Sequence, residues 1–373
     1  MPLKPVTKPN RPFFSAGPCV RPATWQAAPC YPQLTHRSHR SPLAMGLIKD
    51  CLKTTRDLLS IPEDYVIFVV PGSGTGAMNS LIYNLLGPRP VHVMAFEVFS
   101  RRWANEVVDQ LKIPHILHEA PFGALPDTDC SPENDILTVF NGTSSGVQYP
   151  DLEWISANRQ GLVLCDTVSS VFATEIDWSK IDGMGFSWQK TMGAEAGVGT
   201  IVLSPRALKR LETYTPSWPI PYLLRLKGGE GLNESLVHGG VISTPSLISI
   251  DEIGKSLAWA QQEGGVPGLM ARVAKNYHVM ENWVKASSWC NFFVEDPAVR
   301  SPIALTLKTR HETDWSLFRK MGKLLDAEGA AYDIVNHSFA PPSLRVWCGP
   351  TVEPTDLENL CQWFDWAYQN TKD

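Results

Sequence analysis

The sequence has no Cys-x-x-Cys pair and no Cys/His knuckle. Its eight cysteines, Cys19, Cys30, Cys51, Cys130, Cys165, Cys290, Cys348 and Cys361, are scattered. That spacing argues against a zinc-ribbon framework and favours reduced, partly buried thiols over a disulfide scaffold. Positive charge is not in excess: 33 Lys and Arg against 38 Asp and Glu leave a net charge of −5. General nucleic-acid binding needs a basic face, so no nucleic-acid partner is expected. No apolar run reaches the roughly 20 residues of a membrane-spanning helix. The opening MPLKPVTKPNRP lacks the apolar core of a secretory signal. The expectation is a cytoplasmic protein with no membrane partner. His115-x-x-His118 has no acidic or Cys partner at a usual ligand spacing, and no metal is expected.

What the chain does have is apolar content. Hydrophobic residues make up 43% and charged residues 19% of 373 residues, which supports a large core and excludes wholesale disorder. The length allows about two domains. Residues 1–12, with four Pro, two Lys and one Arg, read as an extended arm. Residues 43–59 have helical periodicity. Short apolar runs at 65–70, 91–96, 135–140, 162–165, 184–188 and 199–203 read as strands. Helical patterns at 75–86, at 99–111 and from 205 onward alternate with them. This alternation predicts an α/β domain with a mainly parallel sheet, over 13–262. Beyond Gly264, Gly265 and Pro267 the pattern changes. A long helix at 267–287, strands at 303–307 and 344–348, and helices at 314–328 and from 354 predict a small α+β domain over 263–373.

Four features follow predicted strands of the first domain, at the strand ends where open α/β sheets bind ligands. Gly72-Ser73-Gly74-Thr75-Gly76 opens a helix, and glycines there let backbone N–H groups approach a phosphate. Taken alone it reads equally well as a glycine-rich turn. It lacks the Lys of a nucleotide-binding P-loop. Asp166 directly follows GLVLC and alone reads as a cap. Asn141-Gly142-Thr143-Ser144-Ser145-Gly146 alone reads as a turn. Lys190 follows the apolar strand that ends in Ser187-Trp188-Gln189. A lysine held there is desolvated, which lowers its pKa and makes its amine nucleophilic. Together the four fit pyridoxal 5′-phosphate. That cofactor needs an anion cradle, a lysine for its aldehyde, and a carboxylate that keeps its pyridine nitrogen protonated so that the ring acts as an electron sink.

At these residues the chain resembles the class V, fold type I, pyridoxal-phosphate aminotransferases, and among them the phosphoserine branch. The resembling segments run in order along the chain: FSAGPCVRP (13–22), SHRS (38–41), PGSGTGAMNSLIYNLLG (71–87), NGTSSGVQYP (141–150), LCDTVSSVFATEIDWSKID (164–182), FSWQKTMGAEAGVGTIVLSPRAL (186–208), STPSL (243–247) and PPSLRVWCGPTVE (341–353). The resemblance implies a homodimer and ping-pong transamination between an amino acid and a 2-oxo acid, phosphoserine and 2-oxoglutarate by default. It implies a Schiff base on Lys190 and pairing of Asp166 with the ring nitrogen. Ser73, Gly74, Thr75 and Gln189 would hold the cofactor phosphate, Thr143 would bond near the ring hydroxyl, and Trp103 would stack on the ring. Ser243 and Thr244 match a segment that reaches the phosphate from the neighbouring subunit. His39, Arg40 and His337 would bind the substrate's distal anion, and Arg345 its α-carboxylate.

Four departures stand out against the family pattern. Ser243-Thr244-Pro245 stands where the family has Asn-Thr-Pro, and FEVFS (96–100) where it has Trp-Glu-Ser-Phe-Gly. Gly74 stands where close relatives have Asp, and Ser338 where the family has an Arg that helps bind the substrate phosphate. The last leaves two expectations. Either phosphoserine is used poorly, or another cation, Arg101 or Arg102, fills the gap. The alternatives are a paralogue acting on another anionic or phosphonate-like amino acid and a lyase or decarboxylase on the same scaffold. A cofactor-binding protein without catalysis is disfavoured by the joint presence of Lys190, Asp166 and Arg345.

Overall fold

A computed structural model describes residues 3–24, 34, 37–311 and 314–371 of the chain. The first helix, α1 (Pro42–Leu59), starts where Ser41 accepts a hydrogen bond from the Ala44 N–H and Pro42 occupies the first turn, the position where a missing N–H costs nothing. There follow β1 (Val66–Pro71), α2 (Ser73–Leu85), β2 (Val91–Ala95), α3 (Val98–Asn105), β3 (His115–Glu119) and β4 (Asp135–Val139). A short hairpin, β5 (Asn141–Gly142) and β6 (Val147–Gln148), precedes β7 (Val163–Asp166), β8 (Gly183–Phe186), β9 (Val198–Leu203) and α4 (Pro205–Thr213). A second hairpin, β10 (Lys227–Gly228) and β11 (Gly231–Leu232), leads to α5 (Glu234–Val237) and α6 (Leu247–Gln262).

The central sheet has the order β1-β9-β8-β7-β4-β2-β3. Strand β9 runs antiparallel to both neighbours, and the pairs β8–β7, β7–β4, β4–β2 and β2–β3 are parallel. Six strands therefore point the same way, as the alternation of strands and helices predicts. The structure adds what periodicity did not show. The edge strand β3 reads HILHE and is largely exposed, so it carries no apolar run. Helix α6 went unread at the end of the first expected domain. The predicted helix over 99–111 is α3 followed by a π-helical turn over Glu106–Gln110.

The rest of the chain comprises α7 (Gly265–Ala286), β12 (Cys290–Phe292), β13 (Ala304–Thr309), α8 (Trp315–Ala327), β14 (Leu344–Trp347) and α9 (Pro354–Thr371), with β12, β13 and β14 forming a three-stranded sheet. Two large apolar cores result. One surrounds the central sheet; the other lies between the small sheet and α7, α8 and α9. The start of α7 packs in the first core through Val266 and Leu269, and its later turns pack in the second through Val273, Met280 and Val284. Phe14, Ala16 and Cys19 also pack in the second core, although the sequence groups them with the first unit. The proline-rich arm is tied down there: the Trp363 Nε1–H donates to Thr7 O at 2.8 Å and the Tyr332 N–H to Pro12 O at 2.9 Å. The cysteines at 19, 51, 130, 165, 290, 348 and 361 are free thiols; Cys30 lies outside the described residues. No described helix is long and apolar enough to cross a membrane.

Candidate active site

Strands β1, β4, β7 and β8 end on the same side of the sheet, and their carboxyl ends surround a cavity of about 230 Å³. Sequence order alone places the four motifs far apart; the parallel sheet brings them to one rim. Ser73, Gly74, Thr75, Trp103, Thr143, Asp166, Gln189, Lys190, His337 and Arg345 all line this cavity.

The anion cradle is built from backbone. Gly72 takes a left-handed conformation, φ 88°, and Ser73 does so at φ 56°. The N–H groups of both donate to Gly197 O, at 3.0 and 3.2 Å, and Ser73 Oγ accepts from the Gly197 N–H at 2.7 Å. Gly76 N–H donates to Gly72 O at 2.8 Å. The N–H groups of Gly74 and Thr75 precede that bond and face the cavity, where a helix N-terminus favours an anion. A Cβ on Gly74 would lie 2.2 Å from Val168 Cγ2. Val168 fills the space that a side chain at 74 would need.

Asp166 is the last residue of β7 and is buried. Its Oδ2 accepts from the Trp103 Nε1–H at 2.9 Å and its Oδ1 from the Val168 N–H at 2.9 Å. Burial pushes this carboxyl up, while the two hydrogen bonds and the Lys190 charge pull it back. Lys190 is buried just after β8, and its Nζ lies 5.4 Å from the centre of the Phe99 ring. Burial holds its amine below the ordinary lysine value; the Arg345 charge adds to this, and Cys19, Asp166 and Glu97 oppose it. Arg345, on β14, is buried and reaches the cavity from the second core; its Nε has no hydrogen-bond partner. His337 lies at the mouth. Burial, then Arg345 and Arg102, lower its imidazole pKa.

No family model matches the chain. It is 40% identical over 372 residues to the phosphoserine aminotransferase of Methanosarcina barkeri (strain Fusaro), covering 99% of this chain and 100% of that protein. The chain belongs to the phosphoserine aminotransferase family. It superposes on the phosphoserine aminotransferase structure from Cytophaga hutchinsonii with a TM-score of 0.81, at 22% identity, over 96% of this chain and 99% of that one. A pyridoxal-phosphate-bound phosphoserine aminotransferase from Trichomonas vaginalis matches with a TM-score of 0.74, at 17% identity, over 95% and 100% of the two chains. The protein is thus a fold type I, pyridoxal-phosphate-dependent transaminase.

The residues present fit that cofactor on physical grounds. A buried amine, a buried carboxylate and free helix N-terminal donors face one cavity, and the buried Gln189 Oε1 has no partner there. The structure also extends the expected set. Ser243 and Thr244 are exposed and line a separate cavity of about 140 Å³. His39 and Arg40 lie just before α1 and do not line the cavity that holds Lys190. Within one chain these four residues therefore do not join the site. Phe99 joins the cavity lining, and Glu97 braces it from outside the lining. Glu97 is buried and caps α3, its Oε1 accepting from the Ser100 N–H at 2.6 Å while its Oε2 accepts from the Ser144 hydroxyl at 2.7 Å. It locks the helix that carries Trp103 to the turn that carries Thr143. The signal was Glu97 and Ser100 at capping-box spacing in FEVFS, with acid and hydroxyl in reversed order. His118, for its part, does not pair with His115. The His115 Nδ1 lies 2.8 Å from Ile113 O, while His118 Nε2 lies 2.8 Å from His92 Nδ1 on the neighbouring strand. Cys130 completes a trio of donor atoms within 4.8 Å. The Ser131 N–H donates to His92 Nε2 at 3.0 Å, so the proton of neutral His92 sits on Nδ1, facing His118. A metal at Nδ1 would need the opposite tautomer, and the trio is a hydrogen-bonded pair beside a thiol.

Proposed function

We propose that the protein transfers the amino group of phosphoserine to 2-oxoglutarate by ping-pong exchange, in the cytoplasm and as a homodimer. The observation that carries this is the convergence of Lys190, Asp166 and Arg345 on one cavity. When bound, the cofactor supplies an electron-withdrawing ring that makes the substrate's Cα–H acidic. The Asp166 carboxylate holds a proton on the ring nitrogen. Arg345 takes the substrate's α-carboxylate in a bidentate fork, which orients the Cα–H bond. Lys190 Nζ, whose pKa burial lowers, accepts the Cα proton and returns it one position along. Gly74, Thr75 and Gln189 hold the cofactor phosphate, with Ser73 closing the cradle. Thr143 bonds beside the ring hydroxyl, and Trp103 packs on the ring.

Comparing kcat/KM for phosphoserine and alanine with 2-oxoglutarate as acceptor tests the reading, and a clear preference for phosphoserine is expected. Equal use of the two donors would overturn it. Arg345→Gln should raise KM for both the amino donor and the oxo acid by roughly 10- to 100-fold, the scale of one buried charge-assisted contact. An effect on one substrate alone would show that Arg345 does not hold the carboxylate the two share.

The dimer rests on the residues that their own chain leaves unused. Thr75 and Gly197 leave one side of the cradle exposed. Helices α1 and α6 pack together, which places His39 and Arg40 on the same face as Ser243 and Thr244. Leu43 and Ile248 are 41% and 46% exposed on that face. A second copy docked there buries both and delivers the four residues to its partner's cavity. Light scattering on active protein should give twice the 41.4 kDa chain mass. Ile248→Glu should shift the protein toward monomer and loosen the cofactor. A fully active monomer refutes the assembly.

A further inference from the structure

We propose that Arg102 binds the distal anion of the amino-acid substrate, taking the place that Ser338 leaves neutral. This rests on the reading that the substrate carries two anionic ends. The expected candidates were Arg101 and Arg102, and the structure separates them. Arg101 is committed elsewhere: its Nη1 donates to Glu119 Oε1 at 3.0 Å and its Nη2 to Ala120 O at 3.0 Å. Arg102 is exposed and makes no hydrogen bond or ion pair among the described residues. Its guanidinium instead lies 5.3 Å from the centre of the Phe99 ring, the same ring that has Lys190 Nζ at 5.4 Å. The two groups thus flank one aromatic side chain of the cavity wall. From its amino nitrogen to a phosphate oxygen, phosphoserine spans five bonds, roughly 6 Å. A phosphate that extends this far from an amino group held at Lys190 passes the Phe99 ring, on which the Arg102 guanidinium rests.

The backbone of Arg102 is fixed while its head is free. Phe99, Arg102 and Trp103 are spaced i, i+3 and i+4 on α3 and share a face. Trp103 is pinned to Asp166 and Glu97 caps the helix start. Side chains on a helix lean toward its N-terminus, which carries the guanidinium back over Phe99. Arg102 does not itself line the cavity that holds Lys190; it lines an open cleft of about 340 Å³ with Val98, Arg101, Asn105, Phe122 and Phe339, which leaves its head free to swing over Phe99. Phe339, 78% exposed, stacks on His337 with ring centres 5.3 Å apart. Arg102 is also near enough to His337 to disfavour its protonation. With Arg345 assigned to the α-carboxylate and the His337 imidazole pKa lowered, Arg102 adds a permanent cation for a second anion. A guanidinium fork matches phosphate geometry, and loss of the contact weakens binding roughly 10- to 100-fold.

Steady-state kinetics of wild type, Arg102→Met and Arg102→Lys with phosphoserine, glutamate and alanine as donors test this, with bound-cofactor absorbance as the control for an intact site. Arg102→Met should lower kcat/KM for phosphoserine roughly 10- to 100-fold, mainly through KM. Alanine should change less than about twofold, and Arg102→Lys should restore part of the loss. An equal effect on phosphoserine and alanine, or no effect on either, overturns the role of Arg102. A wild type with no preference for phosphoserine over alanine overturns the substrate reading instead. In that case the glutamate-to-alanine selectivity of the same variants still decides Arg102: a selectivity unchanged by Arg102→Met removes it from the site.

Discussion

Lys190→Ala is expected to abolish transamination and to leave the cofactor held only by non-covalent contacts. The substitution removes two things together, the amine that binds the cofactor aldehyde and the base that carries the Cα proton. Proton transfer by a positioned side chain contributes about 10²- to 10⁴-fold by itself, so turnover should fall by at least the upper end of that range. Borohydride reduction and peptide mapping should label Lys190 in wild type and no lysine in the variant. Lys180 is the informative control, being buried as well. Its Nζ donates to Ile155 O at 3.0 Å and to Glu153 Oε2 at 3.3 Å, so its amine is occupied. Label on Lys180 or any other lysine would show the assignment to be wrong. The depressed pKa of Lys190 also fixes a pH dependence. Uptake of cofactor by the apoprotein needs the neutral amine, so its rate should rise with pH and level off below about 10.4, the ordinary lysine value. An inflection at or above that value would mean that burial does not prepare this amine.

Asp166→Asn is expected to lower kcat by at least about a hundredfold with the cofactor still bound. The amide keeps the shape, but its single oxygen can accept only one of the Trp103 and Val168 hydrogen bonds that now fix the carboxylate, so bound-cofactor absorbance must confirm that the site keeps its form. What goes is the negative charge that holds a proton on the ring nitrogen, and loss of one preorganised electrostatic contact costs about 10²- to 10³-fold. Near wild-type turnover in this variant would remove Asp166 from the mechanism. The apoprotein offers an independent readout. Burial raises the Asp166 pKa on folding, so the folded apoprotein holds this proton more tightly than the unfolded chain. That contribution is complete below the unfolded carboxyl value of about 3.9 and is lost as pH rises through the higher folded value. Asp166→Asn should abolish that loss, making the apo variant gain stability relative to wild type as pH rises toward neutral. A constant difference across that range would mean that Asp166 is not strained by burial.

The division between sequence and structure follows the range of the forces involved. Apolar runs and turn residues are local signals, and they placed β1, β4, β7 and β8 with the motifs that end them. FSWQK, the upstream Asp166 and PGSGTG were legible because each needs particular residue types at short spacing. Strand β3 was not legible, because an edge strand exposed on most positions needs no apolar run. The reach of Arg345 was known only from resemblance. Its entry into the cavity depends on how β14 and the second core sit against the central sheet, which no local pattern encodes. Glu97 and Phe99 were passed over for the same reason. A buried carboxylate becomes structural only once Ser144, 47 residues away, is folded against it. Arg101 and Arg102 are adjacent and alike in sequence. Their different fates are set by Glu119 on β3 and by the Phe99 ring, contacts that exist only after strand and helix have packed. The sequence by itself determined the fold class, the cofactor chemistry and the identity of Lys190 and Asp166, since these rest on short-range pattern. The tertiary structure alone decided which charged side chains face the cavity and which their own chain leaves outside it, because pairing across the chain is fixed by packing rather than by spacing.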